Sequence, residues 1–185
     1  MKKIISKVVF SVSLLGILAL NACKNNDPQP DEQEQITTLT LSLVKAGTTT
    51  PISITFRDAD GEGGNAPTTT PATLVLDANA TYGVTLSVLD ETKSPVENIT
   101  EEIEEEKDDH QFYFAYSANN LTVNIIDTDS KNLPVGLIST FTTTSAGVAA
   151  NLTVTLKHKP GSKAANDPVS KGETDIEVVF PVQVQ

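Results

Sequence analysis

The sequence predicts an all-β protein: a single antiparallel β-sandwich of immunoglobulin-like type with one short acidic helix. Three observations predict it. Short runs of Thr, Val, Leu and Ile show apolar residues with a period of two, as strands with one buried face do. Clusters of Gly, Pro, Asp and Asn separate these runs, as turns between strands do. Helical spacing is confined to one segment, and half-buried strands with so little helix must bury their apolar faces against a second sheet.

The first 22 residues stand apart as a lipoprotein signal peptide. Lys2, Lys3 and Lys7 precede an uncharged apolar stretch from Val8 to Leu20, and Leu20-Asn21-Ala22-Cys23 ends it as a lipobox. The stretch is shorter than the ~18–20 apolar residues a spanning helix needs, so it reads as a cleaved leader. Cys23 then becomes the acylated N-terminus of the mature protein, and two or three acyl chains, at ~0.8 kcal/mol per buried methylene, hold it to a membrane. Cys23 is the sole cysteine, which excludes an intramolecular disulfide and any Cys-based metal site or nucleophile. Residues 23–35 contain Pro28, Pro30 and many polar side chains and read as a disordered, charged tether.

Residues 36–185 form the sandwich domain. Strands are predicted at 36–44, 51–57, 72–77, 80–90, 110–116, 121–127, 134–142, 148–158 and 175–184. Their inward rows include Leu39, Leu41 and Leu43; Ile52, Ile54 and Phe56; Leu121, Val123 and Ile125; Leu152, Val154 and Leu156; and Ile176, Val178 and Phe180. The helix is predicted over 99–108, where Asn98 precedes Glu101 by three residues as in a capping box and Ile99 and Ile103 sit one turn apart.

Loss of the leader removes three lysines and no acid, leaving 10 Lys and Arg against 24 Asp and Glu, a net charge of about −14. A surface this acidic repels nucleic acid and anionic headgroups and favours cations and basic partners. No Gly-x-Ser-x-Gly elbow, His-Glu-x-x-His or phosphate loop is present, so the sequence reads as a non-enzyme.

Two sets of residues have the chemistry of a metal site. Asp58, Asp60 and Glu62, with Gly63 after them, resemble the front half of a calcium loop, in which alternate oxygens converge around a glycine turn. The twelfth position is Thr69 instead of the bidentate glutamate, so an acidic turn without an ion is the other reading. His110 is in register with Phe112, Phe114 and Tyr116, and His158 with Leu152, Val154 and Leu156. One histidine begins its strand and the other ends its own, so antiparallel strands bring both to one end of the sandwich. With a carboxylate from the 101–109 run they would make a zinc, copper or iron site; otherwise both are rim residues bonded to backbone or acids. The acid run is either a solvated helix face or a surface for a basic partner or cation.

The lipobox, the run Phe56-Arg57-Asp58-Ala59-Asp60-Gly61-Glu62-Gly63-Gly64-Asn65-Ala66-Pro67, the acidic run Ile99-Thr100-Glu101-Glu102-Ile103-Glu104-Glu105-Glu106, His110-Gln111-Phe112-Tyr113, and Leu156-Lys157-His158-Lys159-Pro160-Gly161 followed by Thr174-Asp175-Ile176 together resemble small lipoproteins of the Bacteroidota. Those proteins are labelled type 1 periplasmic binding fold superfamily. The resemblance implies an outer-membrane lipoprotein, on the periplasmic face or the cell surface, partnered with a TonB-dependent receptor. The label also implies two α/β lobes, which the β pattern of this chain opposes. The expected function is therefore a membrane-anchored binding module that captures a nutrient, a metal or metal complex among the candidates, for such a receptor. The alternative is a structural or adhesive envelope domain with no small ligand.

Overall fold

Alternation along the strands sorts side chains between a shared core and solvent. Leu39, Leu41, Leu43, Ile54, Leu152, Val154, Leu156 and Phe180 are all fully buried. The computed structural model describes residues 34–61 and 63–185, so the signal peptide, Cys23, most of the tether and Glu62 lie outside the described residues. The strands are β1 (Thr38–Lys45), β2 (Pro51–Arg57), β3 (Thr68–Thr70), β4 (Leu74–Leu76), β5 (Thr81–Leu89), β6 (His110–Tyr116), β7 (Leu121–Ile125), β8 (Ile138–Thr143), β9 (Ala150–His158) and β10 (Glu173–Val184). Helix α1 (Ile99–Glu105) lies between β5 and β6. Among the described residues no helix is long and apolar enough to cross a membrane.

Two sheets face each other, one in the order β3-β2-β1-β5-β8-β7 and the other β4-β10-β9-β6. Taking β1, β5, β6, β7, β8, β9 and β10 as A to G gives A-B-E-D on one sheet and C-F-G on the other, the strand order of an immunoglobulin constant-type sandwich. Strands β2 and β3 extend the first sheet beyond β1, and β4 extends the second beyond β10. The antiparallel expectation needs one correction: β4 runs parallel to β10, with Leu74 opposite Val182 and Leu76 opposite Val184. β4 is reached by a sheet-to-sheet crossing after β3, so no hairpin imposes an antiparallel direction on it.

Local chemistry explains the other departures. β3 has no apolar period, because Thr68–Thr70 joins the sheet through backbone pairing to Thr55, Phe56 and Arg57 and a hydrogen bond from the Thr68 hydroxyl to Arg57 O at 3.4 Å. β8 starts later than expected because the Asp127 carboxylate binds the backbone N–H groups of Gly136 and Leu137, both at 2.9 Å, and holds that stretch out of the ladder. α1 ends at Glu105, short of the predicted 108. Asn98 occupies its N-cap, but the amide Nδ2 donates to Glu101 Oε1 at 2.7 Å and makes no backbone cap. Ile99 and Ile103 are buried as predicted. Strand β8 pairs with β5 only over Thr81–Thr85, and beyond it the Thr100 hydroxyl accepts from Val88 N at 2.8 Å and donates to Val88 O at 3.1 Å. The helix thus takes the place of a strand at this end of β5, beside the ends of β6 and β9.

Candidate metal centre at the end of the sandwich

His110 opens β6 and His158 closes β9, and the two are direct register partners. Both lie on rows that face the core, and their relative exposures are 0% and 9%. Their rings stack with centroids 4.6 Å apart and planes 8° apart. His110 Nδ1 lies 3.2 Å from the carbonyl oxygen of Glu106. A carbonyl only accepts, so Nδ1 carries the proton and Nε2 presents its lone pair.

That lone pair faces an acid. Nε2 is buried with no hydrogen-bond partner among the described residues and lies 4.0 Å from Asp175 Oδ2. The Asp175 side chain is 0% exposed, and neither of its oxygens has a hydrogen-bond partner among the described residues. Burial pushes the His110 imidazole below its ordinary range, with only partial opposition from the Glu106 carbonyl. Burial likewise pushes the Asp175 carboxyl up to about 6, with His158 and Lys157 pulling the other way. Above about pH 6 a neutral imidazole therefore meets a buried carboxylate, two acceptors 4.0 Å apart.

Asp175 reaches this position through a β-bulge. β10 pairs with β9 as Thr174 opposite Lys157 and Ile176 opposite Leu156, and the register shifts between Thr174 and Ile176. The extra residue of a bulge is re-aimed from the alternation of its strand. Strict alternation with Ile176, Val178 and Phe180 inward would have turned Asp175 to solvent, which is why the sequence pattern misses it.

In front of this pair a cleft of about 450 Å³ opens, lined by Glu34, Ile36, Phe56, Asp58, Asp175 and Glu177 among others, with no basic side chain among the described residues of its wall. Burial lifts the Glu34 carboxyl to about 7, and the neighbouring charges of Glu102, Asp175 and Glu106 add to the rise. Glu102, which shares a hydrogen bond with Glu34, is also raised, first by burial and then by Glu97. Glu34 and Gln35, assigned to the tether by their polarity, are wall residues of this cleft.

The predicted site residues fall into place unequally. His110 and His158 come together, and Glu106 of the predicted acidic run has a carboxylate oxygen that, with one ring nitrogen of each, lies within 4.8 Å of the others. Stacked rings send their in-plane lone pairs side by side, however, and a tetrahedral ion needs donors that converge. Asp58 lines the same cleft as Asp175, so two regions far apart in sequence meet at one end of the molecule. One oxygen of Asp58 is buried without a hydrogen-bond partner among the described residues. Asp60 Oδ2 instead accepts from Asn65 N at 2.9 Å and Asn65 Nδ2 at 2.7 Å, which holds its carboxyl below the usual range. Glu62, the third predicted calcium ligand, lies outside the described residues.

The loop between β9 and β10 holds the bulge in place. Lys159 is fully buried, and its Nζ donates to Gln111 Oε1 and Tyr113 Oη, both at 2.7 Å. Lys163 Nζ lies 2.9 Å from Asp129 Oδ2 with both side chains enclosed, and donates to Lys107 O at 2.7 Å. Gly172, with φ +84°, returns the chain to β10, and a Cβ there would run into the carbonyl oxygen of His158. Gly172→Ala is therefore expected to destabilise the domain by about 1–2 kcal/mol through strain at positive φ, and to move Asp175 relative to His110. Urea denaturation and the nitrogen shifts of the two imidazoles check both effects.

No family model, characterised protein or solved structure matches the chain.

Proposed function

We propose that the protein is a membrane-anchored lipoprotein binding module whose end cleft captures a cationic nutrient, a metal ion or a metal complex, for a TonB-dependent outer-membrane receptor. One observation carries the reading. The cleft gathers Glu34, Asp58, Asp175 and Glu177 in its wall, with no lysine or arginine among the described residues that line it. Burial penalises the charged forms of Glu34 and Asp175 in this wall, and a bound cation offsets that penalty. The net charge of the mature chain draws cations towards the same place.

The anchor supports the same reading. The lipobox cysteine precedes the cleft residue Glu34 by few positions in the sequence, so an acylated Cys23 would tether the cleft to a membrane through a short segment of chain. Tethering to the membrane that holds the receptor makes transfer effectively intramolecular, so weak contact with the receptor suffices.

Equilibrium binding to the purified mature protein tests the proposal. Divalent cations and cationic complexes are expected to raise the melting temperature, small anions are expected to leave it unchanged, and Asp58→Asn together with Glu177→Gln is expected to weaken the effect. A melting temperature indifferent to every cation up to millimolar concentrations would overturn it.

A further inference from the structure

We infer that a transition-metal seat lies beside the cleft, with His110 Nε2 and Asp175 as its protein ligands and His158 positioning the His110 ring without ligating. This rests on the reading that the cleft takes cations, and it names their class.

The first support is the gap itself. Two buried acceptors, each without a hydrogen-bond partner among the described residues, face each other at 4.0 Å. Unsatisfied buried groups of this kind are uncommon in native proteins and call for an explanation. Zinc–nitrogen bonds of ~2.0–2.1 Å and zinc–oxygen bonds of ~2.0–2.2 Å together span about 4 Å, so one ion bridges the gap, with a small closure as the angle at the metal bends.

The second support is the far side of the His110 ring. Metal-binding histidines commonly donate their other N–H to a carbonyl or carboxylate, which sets the tautomer and aims the lone pair. The Glu106 carbonyl accepts from Nδ1 at 3.2 Å and does this here. His158 covers the face of the same ring at 4.6 Å and restrains its plane. Because the two rings are nearly parallel, the His158 lone pairs do not converge on the point that His110 Nε2 and Asp175 share, so the second histidine positions the first.

The donor set decides the metal. Calcium and magnesium take all-oxygen shells, whereas imidazole nitrogen with carboxylate oxygen suits zinc, copper, nickel and iron. Asp175 is also a lining residue of the cleft, which joins the seat to that opening. The seat thus departs from the arrangement the sequence alone predicts, in which both histidines ligate and the acid comes from the 101–109 run.

The test is calorimetric titration of the purified mature protein with zinc and optical titration with cobalt, in wild type, His110→Gln, Asp175→Asn and His158→Ala, each first shown to melt cooperatively. Asp175→Asn and His110→Gln nearly preserve side-chain volume, so loss of binding is separable from loss of fold. Expected are a loss of about 100-fold or more for the two ligand variants and about 10-fold for His158→Ala, the range of ligand-orienting changes. The nitrogen resonance of His110 Nε2 is expected to shift on zinc binding while those of His158 move little. Equal zinc affinity in wild type, His110→Gln and Asp175→Asn would overturn the seat. If Asp58→Asn with Glu177→Gln still weakened cation binding in that case, the broader cleft reading would survive; no cation binding in any protein would end both. A loss in His158→Ala as large as in His110→Gln, with a matching His158 resonance shift, would overturn the positioning role and restore joint ligation.

Discussion

Phe112→Ala is expected to lower the stability of the domain by about 3–5 kcal/mol, the range for deleting a fully buried phenylalanine ring. Phe112 is 0% exposed and lies on the same row of β6 as His110, two residues away. It also fills the space beside Gly136, where an added Cβ would meet Phe112 Cβ at 2.8 Å, so the backbone of the 134–137 stretch packs directly against this residue. Phe112 N donates to Val135 O at 2.7 Å, which ties the two segments together. The cavity left by alanine is enclosed by two sheets that cannot collapse freely, which places the cost in the upper part of the usual range for core substitutions. For a domain of this size, ~2–4 °C per kcal/mol gives a fall in melting temperature of about 6–20 °C. Thermal and urea unfolding check the result; a loss below about 1 kcal/mol would show that the core at this end is looser than the packing implies.

The second large effect concerns pH in metal-free protein. Asp175 has a folded pKa of about 6 against an ordinary 3.8, and Glu34 about 7 against 4.5, with burial the leading cause in both. An acid whose folded pKa is raised binds its proton more tightly in the native state, so stability rises as pH falls through these folded values and levels off below the ordinary ones. At pH 8 both groups are charged and their full penalty is felt. Asp175→Asn removes one of these charges, and its amide can donate to His110 Nε2. The raised pKa corresponds to ~3 kcal/mol if fully felt, and allowing for water in the cleft the variant is expected to gain about 1–3 kcal/mol at pH 8 and nothing below about pH 4. His110 acts in the opposite sense: burial lowers its pKa, so acidification below its ordinary 6.5 favours the unfolded chain. The wild-type profile is therefore shaped by opposing groups, and the Asp175→Asn variant, which keeps Glu34 acting against His110, is expected to gain less stability than wild type as pH falls from 8 to 4.5. Urea unfolding in the presence of chelator at pH 8, 6 and 4.5 checks this. An Asp175→Asn variant no more stable than wild type at pH 8 would show that the Asp175 carboxylate already has a partner in solution.

Much of the fold was legible because period-two alternation is a backbone property that survives any context. Each of the nine expected strands has a counterpart, and the inward rows of Leu39 and Leu152 are buried as the pattern requires, as are Val178 and Phe180, whereas Ile176 is half-buried and Ile52, expected inward, is exposed. β3 was not legible, since a Thr-Thr-Thr strand held by backbone pairing and a threonine hydroxyl leaves no apolar signature. The parallel placement of β4 was not legible either, because strand direction is a matter of where the chain crosses between sheets.

The residues alone determined that His110 and His158 lie on core-facing rows at opposite ends of their strands, that acids outnumber bases, and that Leu20 to Cys23 has the pattern of a lipobox. Only the tertiary structure decided that β6 and β9 are neighbours in register, so that the two rings stack, and that a shift between Thr174 and Ile176 swings Asp175 into the core side of β10. It also drew Glu34 out of a polar tether into the cleft wall. The physical reason is that alternation fixes which face a side chain takes only while the ladder is regular. A bulge is one added residue without a distinctive composition, and the pairing of distant strands is set by the summed packing of the whole core, which no local window of sequence contains.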